Sequence, residues 1–385
     1  MYKKVISILF CIIIFIGGAD ILLTNRGNIK LTIVSFISDL NVDRFFETLD
    51  KNFNFNNDID KKLQKIYDGT QIIMCKKEIG NFTYYKNEET DGLVLITNND
   101  SKKGIKENTE KINKLYEEFK KRNIDFLYVS MPEEVKGKLK EKLNDIDYGN
   151  EITDMVLEEL NNVPYIDLRD NKKIKKMSEN YYKTDHHWNL ETCFEAFCSV
   201  INEINNLYNL NLDKDNKYTN LENYNIKIKE DCFFGSKGVN TGTFFIKKEE
   251  FSLFLPKYET DFEYRHYNTK GKMKVSTKGE FEEALIDNSK LNLDTYVNKY
   301  NCFLYGGNCE NVIINKKSEN NKKLLLISSS YGRAFAPYIS QCFYETRYID
   351  PQQGRFEQNV INYIDNYKPD IVVMLYKGTT NIDFI

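Results

Sequence analysis

Residues able to transfer an acyl group stand in two short stretches of this chain. The first is Tyr182-Lys183-Thr184-Asp185-His186-His187-Trp188-Asn189, with two of the three histidines and the only tryptophan. Asp185 and His187 are two apart, and in extended backbone such residues face one side. A carboxylate behind an imidazole fixes its tautomer and supports its charged form, which is what a general base needs. The same alternation turns His186 away from the pair. A plainer reading is that Asp185 and His187 only pin a turn. The second stretch is Lys323-Leu324-Leu325-Leu326-Ile327-Ser328-Ser329-Ser330-Tyr331-Gly332-Arg333-Ala334-Phe335. Four apolar residues make a buried strand, three serines end it, and a helix is expected from Gly332 to about Cys342. A serine hydroxyl there has helix N–H groups behind it to receive an oxyanion. A serine-rich helix cap is the plainer reading of this stretch.

Both stretches need a scaffold. Asn189 is a good N-cap, and Phe194, Phe197, Val200, Ile201 and Ile204 follow at helical spacing. Before them, strands are expected at Gly92–Thr97, Ile124–Ser130 and Val163–Leu168, with helices at Ser101–Arg122 and Ile152–Leu160. After Leu324–Ile327, strands are expected at Thr346–Ile349 and Ile371–Leu375, with a helix at Phe356–Tyr367. This alternation is that of βαβ units. It predicts an α/β fold whose strands share one parallel sheet flanked by helices, with Ile327 and Val129 in central strands. Chemistry then belongs at the strand carboxyl ends, where Ser330 sits. From about 207 to 300 the alternation breaks into short, charged, Asn- and Tyr-rich pieces. That part reads as an irregular or β insertion packed over the Asp-His loop, serving as a lid or substrate platform. His266 reads as an ordinary sheet residue within it.

Composition narrows the classes. The chain has 385 residues, 54 basic and 57 acidic, for a net charge of −3, so nothing marks it as a nucleic-acid partner. Lys3 and Lys4 precede an apolar run ending near Gly17-Gly18-Ala19, the layout of a signal peptide or N-terminal membrane anchor over residues 1–25. The lysines place the rest of the chain outside the cytoplasm, secreted or membrane-anchored. Residues 26–90 read as a membrane-proximal arm with short helices, one near 58–67. Beyond Cys11, the seven cysteines have no metal-knuckle spacing; an exported protein could pair some of them, and the plainer reading is buried thiols. No metal and no cofactor is expected. A metal site from Asp185, His186 and His187 is weighed last, because adjacent histidines point apart and no fourth ligand is near.

Asp-His-His-Trp followed by a hydrophobic strand ending in Ser-Tyr resembles the DHHW protein family. That family is similar to the alginate O-acetyltransferases of the AlgX and AlgJ type, with a permuted SGNH hydrolase-like domain. Further matching pieces are Tyr165-Ile166-Asp167-Leu168-Arg169-Asp170, Phe234-Gly235-Ser236, Phe303-Leu304-Tyr305-Gly306-Gly307-Asn308 and Tyr348-Ile349-Asp350. The likeness covers roughly 90–385, so the SGNH hydrolase-like domain is placed at 91–385. One departure stands out: the usual Gly-Asp-Ser is here Ser328-Ser329-Ser330. The resemblance implies Ser330 as nucleophile, His187 as base and Asp185 as its support. It further implies O-acetyl transfer to, or removal from, an extracellular polysaccharide, with an acyl donor or a membrane acyl-transfer partner protein. Backbone N–H groups near Ser330 and Asn308 would bind the oxyanion, and Tyr331 and Arg347 are candidates for substrate contact. The reading from another class is a non-catalytic cell-surface carbohydrate-binding protein on the same scaffold.

Overall fold

The computed structural model describes residues 78–79, 82–86, 92–96, 104–135, 149–177, 179–241, 246–292, 297–307, 309–356, 360–380 and 382. The apolar N-terminal segment, the helix expected near 58–67, Cys11, Cys75 and Asn308 lie outside the described residues. In chain order the strands are β1 (Glu78–Ile79), β2 (Phe82–Lys86), β3 (Leu93–Ile96), β4 (Asp125–Ser130), β5 (Tyr165–Asp167), β6 (Tyr224–Phe233) and β7 (Glu249–Pro256). Then come β8 (Phe262–Tyr267), β9 (Met273–Gly279), β10 (Glu310–Asn315), β11 (Lys323–Ser328), β12 (Glu345–Ile349) and β13 (Ile371–Tyr376). The helices that position the site are α1 (Ile105–Lys121), α2 (Gly149–Glu158), α3 (Leu190–Tyr208), α4 (Ser236–Thr241), α5 (Gly332–Ile339) and α6 (Val360–Tyr367).

Eight strands form the main sheet among the described residues, in the order β5-β4-β13-β11-β12-β10-β8-β9. The first five are parallel, and β10, β8 and β9 join antiparallel. Alternation along β11 divides the core. Leu324 and Leu326 face one side, with Val129, Val373, Trp188 and the α3 residues Phe194 and Phe197. Leu325 and Ile327 face the other, with Tyr128, Met374, Phe119 of α1, Ile152 of α2 and Ile364 of α6. Apolar residues at both parities are what a parallel sheet covered on both faces requires. Full burial of one such leucine is worth about 1.5–3 kcal/mol.

Three expectations change. The strand expected at 92–97 forms as β3, but it joins β2 and β1 in a separate antiparallel sheet. A four-residue apolar run fits either kind of sheet and carries no pairing direction. The insertion at 207–300 is not a single body. Its β6 and β7 make a two-stranded ribbon, while β8 and β9 extend the main sheet beyond β10. Val129 lies in β4, one strand from the edge formed by the short β5, whereas Ile327 is in β11, the fourth of the eight. His266 is a β8 residue, paired with Asn311. Cys193, Cys198, Cys232, Cys302, Cys309 and Cys342 are buried free thiols. Among the described residues no helix is long and apolar enough to cross a membrane.

Candidate active site

Residues 181–188 form a tight loop. An antiparallel bridge between Tyr181 and Trp188 closes it, and the Tyr182 N–H donates to the His187 carbonyl at 3.0 Å. Asn189 then caps α3, its side chain accepting the Thr192 N–H at 2.9 Å. Inside the loop, Asp185 Oδ1 accepts the His187 backbone N–H at 3.0 Å and lies 2.5 Å from His187 Nδ1. The first contact is the Asx-turn bond, from a side chain to the amide two residues on. The Asp-x-His spacing is therefore used by a turn rather than by a strand.

The backbone here does not alternate as a strand would, and His186 does not turn away. Its ring centre is 4.0 Å from that of His187, and its Nδ1 lies 2.7 Å from Ser236 Oγ. On β11 and the turn beyond it, the serines separate by role. Ser328 is buried and donates its hydroxyl to the Leu375 carbonyl at 2.9 Å. Ser330 is half-buried, with its Oγ 2.9 Å from His187 Nε2. Gly332 opens α5 against the strand end, and a Cβ there would come within 2.8 Å of Ser328 Cβ and 2.7 Å of Tyr348 Cε2. Only glycine lets the helix start this close to the Ser328–Ser330 turn.

Several residues hold Asp185 and His187 in place. The Ser236 N–H donates to Asp185 Oδ2 at 2.7 Å. Gly235 lies directly on Asp185. Glu249 of β7 accepts the Lys183 N–H at 2.8 Å, the Thr184 N–H at 2.7 Å and the Thr184 hydroxyl at 2.5 Å. The Tyr300 ring stacks on His187 at 3.8 Å and 15°. Tyr331 donates its hydroxyl to the His186 carbonyl at 2.9 Å, tying the Ser330 turn to the Asp-His loop.

The electrostatics follow from this packing. Burial by itself would raise the Asp185 carboxyl, but the His187 charge and the hydrogen bonds from His187 and Ser236 outweigh it and hold the group well below the usual carboxylate range. Burial lowers His187 below its ordinary value, against the opposing pull of Asp185. The pair at neutral pH is a carboxylate behind a neutral imidazole, with Ser330 on the other nitrogen. Asp185, His186 and His187 also bring ligand atoms within 4.8 Å of one another. A metal there would have to take His187 nitrogens already facing Asp185 and Ser330, so the donor set reads as a proton relay.

No protein-family model and no curated protein matches the chain. Solved structures do. Bacillus cereus PatB1, in a structure with a sulfonyl adduct, superposes with a TM-score of 0.63 at 19% identity, covering 79% of this chain and 98% of its own. A DHHW family protein from Eubacterium siraeum gives 0.58 at 15% identity, covering 78% and 93%. The chain shares their fold. The O-acetyltransferase domain of Pseudomonas putida AlgJ aligns more loosely, at 0.46 and 11% identity over 77% and 91%.

The structure thus brings Asp185, His187 and Ser330 together across 143 residues and sets Tyr331 beside them. Asn308 lies outside the described residues. Arg347 is not at the site. It pairs with Glu345 at 2.8 Å, lies over the Tyr367 ring at 4.1 Å, and sits in register with Leu325. From Leu325 to Ser328, the last residue of β11, the strand alone covers about 10 Å before the turn to Ser330 begins. Sequence reasoning missed Tyr300, Glu249 and Lys377. Tyr300 and Glu249 carry no local signal, one among 26 tyrosines and the other in a charged run. Lys377 did carry one, since it follows the last residue of β13 at a strand carboxyl end.

Proposed function

We propose that this chain is a serine-dependent O-acetyltransferase or acetylesterase that acts outside the cytoplasm on a cell-surface or secreted polysaccharide. The observation that carries it is the continuous contact Asp185–His187–Ser330, at 2.5 Å and 2.9 Å, with His187 neutral and Asp185 ionised. Ser330 Oγ attacks the carbonyl of an acetyl donor while His187 Nε2 takes its proton. Asp185 supports the imidazolium, and the Tyr300 ring lies against that cation's face. The oxyanion falls to the backbone N–H groups of Ser330 and Tyr331, since those of Gly332 and Arg333 already donate to the Ser329 and Ser330 carbonyls at 3.0 Å and 3.2 Å. The tetrahedral adduct collapses, His187 returns the proton to the leaving oxygen, and acetyl-Ser330 remains. A sugar hydroxyl or water then gives its proton to His187 and attacks the acetyl carbonyl. Ser330 Oγ leaves and takes the proton back. Sugar as acceptor makes the chain a transferase, and water makes it an esterase.

The resemblance to the DHHW and AlgX/AlgJ type supplies the polysaccharide and the acetyl group. Lys3 and Lys4 ahead of an apolar run support the location outside the cytoplasm. The Ser328-Ser329 departure favours the second reading, a carbohydrate-binding protein that kept the scaffold. Hydrolysis of 4-nitrophenyl acetate, measured with and without candidate glycans, separates these readings. Turnover that yields acetylated glycan marks a transferase, and turnover to acetate alone marks an esterase. Glycan binding without turnover, and with Ser330 inert to sulfonyl fluoride, supports the binding module.

A further inference from the structure

Lys377 stands at the carboxyl end of β13, the strand beside β11. Its side chain is half-buried. The ammonium lies 4.2 Å from the centre of the Tyr181 ring and 5.2 Å from that of Tyr331. Tyr331 follows Ser330 directly, and its ring centre is 5.4 Å from that of His187. A cation is therefore clamped by two aromatic rings beside the candidate nucleophile. Cation–π contacts favour that position but do not neutralise the charge.

No carboxylate among the described residues forms an ion pair with Lys377. Glu133, which acts on it through space, accepts the Thr153 hydroxyl at 2.6 Å. Asp185 is committed to His187 and Ser236. Arg333 adds a second positive charge, and both cations act on His187. Burial opposes the ammonium, but the two tyrosines and the more distant Glu133 charge favour it, and an anion brought within reach adds a charge-assisted hydrogen bond. His186 sits on the same side, its ring centre 6.4 Å from that of Tyr331 and its side chain 45% exposed.

We propose that Lys377 is the anion-binding residue of this site, holding a carboxylate or phosphate group of the glycan while Ser330 handles the acetyl group. The proposal rests on the acyl-transfer reading above.

The test uses the full chain and three probes: a galacturonic acid trisaccharide, its carboxyl-reduced neutral counterpart, and a glycerol phosphate trimer. Affinities are measured by titration calorimetry. The wild type should bind at least one anionic probe about tenfold more tightly than the neutral sugar, the worth of one charge-assisted hydrogen bond. Whichever anion is preferred identifies the source as carboxylate or phosphate. Lys377→Met should bring the ratio close to one, and Lys377→Arg should keep most of it. Raising salt should shrink the wild-type preference, a readout that needs no variant. Equal affinity for all three probes, a preference unmoved by salt, or one that survives in folded Lys377→Met overturns the proposal. Fluorophosphonate labelling of Ser330 reads the underlying chemistry separately. Labelling without anion preference sinks the Lys377 proposal alone, and anion preference without labelling sinks the acyl-transfer reading alone.

Discussion

Adding one methyl group at Gly235, fifty residues after Asp185, should disable the site. A Cβ on Gly235 would stand 2.2 Å from Asp185 Cβ, 2.3 Å from its Oδ2 and 2.6 Å from its Cγ, where ordinary contact begins at 3.4 Å. Gly235 is followed by Ser236, whose N–H holds Asp185 Oδ2 at 2.7 Å. The α4 backbone is pinned in turn by Thr184, through the Gly235 N–H on its hydroxyl at 2.9 Å and the Gly238 N–H on its carbonyl at 2.8 Å. Neither side can yield cheaply, so Gly235→Ala should push the carboxylate about 1 Å from its place behind His187. A shift of that size costs about 10²-fold, and complete loss of the orienting carboxylate about 10⁴-fold. The expected fall in kcat/KM for 4-nitrophenyl acetate lies between those figures. Overpacking should destabilise by about 1–3 kcal/mol, leaving a folded protein by circular dichroism. A folded Gly235→Ala protein that keeps its activity within about threefold would refute the role given to Asp185.

Four further outcomes follow from the same geometry. Ser330→Ala and His187→Ala should each lose about as much kcat as the double variant, because groups that act as a unit are not additive; His186→Ala should lose less than His187→Ala, since its contacts are to Ser236 and to a ring face. Tyr300→Phe keeps the stacked ring and should keep most activity, whereas Tyr300→Ala should lower kcat and move the acid limb of the pH–rate profile. That limb reports loss of the neutral imidazole as pH falls. With His187 depressed by burial, activity should persist below pH 6.5, and Lys377→Met should shift the limb upward because Lys377 pushes His187 down. Trp188, fully buried against Tyr331 and Phe335, should cost about 3–5 kcal/mol on truncation to alanine, read from urea denaturation.

The main elements were legible because their signals are local. Leu324 to Ile327 is an unbroken apolar run ended by serines, and it became a strand buried on both faces. Asn189 ahead of Phe194 and Phe197 reads as a helix start at any resolution of thought, and α3 begins there. Pairing partners are not local: nothing within Leu93–Ile96 directs β3 to a separate sheet, and nothing within β8 and β9 marks them as the edge of the main one. The place of His186 is hidden from the sequence for a related reason. Alternation holds in extended backbone, and the Tyr181–Trp188 bridge bends this loop out of it. Tyr300 reaches His187 from more than a hundred residues away, a contact that no spacing rule carries. Phe234-Gly235-Ser236 was visible as a motif, but its purpose was not. Only the fold shows that the glycine makes room for Asp185 and that the next amide holds its carboxylate.

The central claim is that Ser330, activated by His187, is the nucleophile. A sulfonyl fluoride, which reacts with an activated serine hydroxyl, is the probe, with the labelled peptide mapped by mass spectrometry. The account predicts a single adduct on Ser330, formed with a rate that follows His187 deprotonation and lost in His187→Ala. It also predicts that Ser330→Ala is left unlabelled. An adduct on Ser328 or Ser329, or labelling of Ser330 that is indifferent to His187, would contradict it.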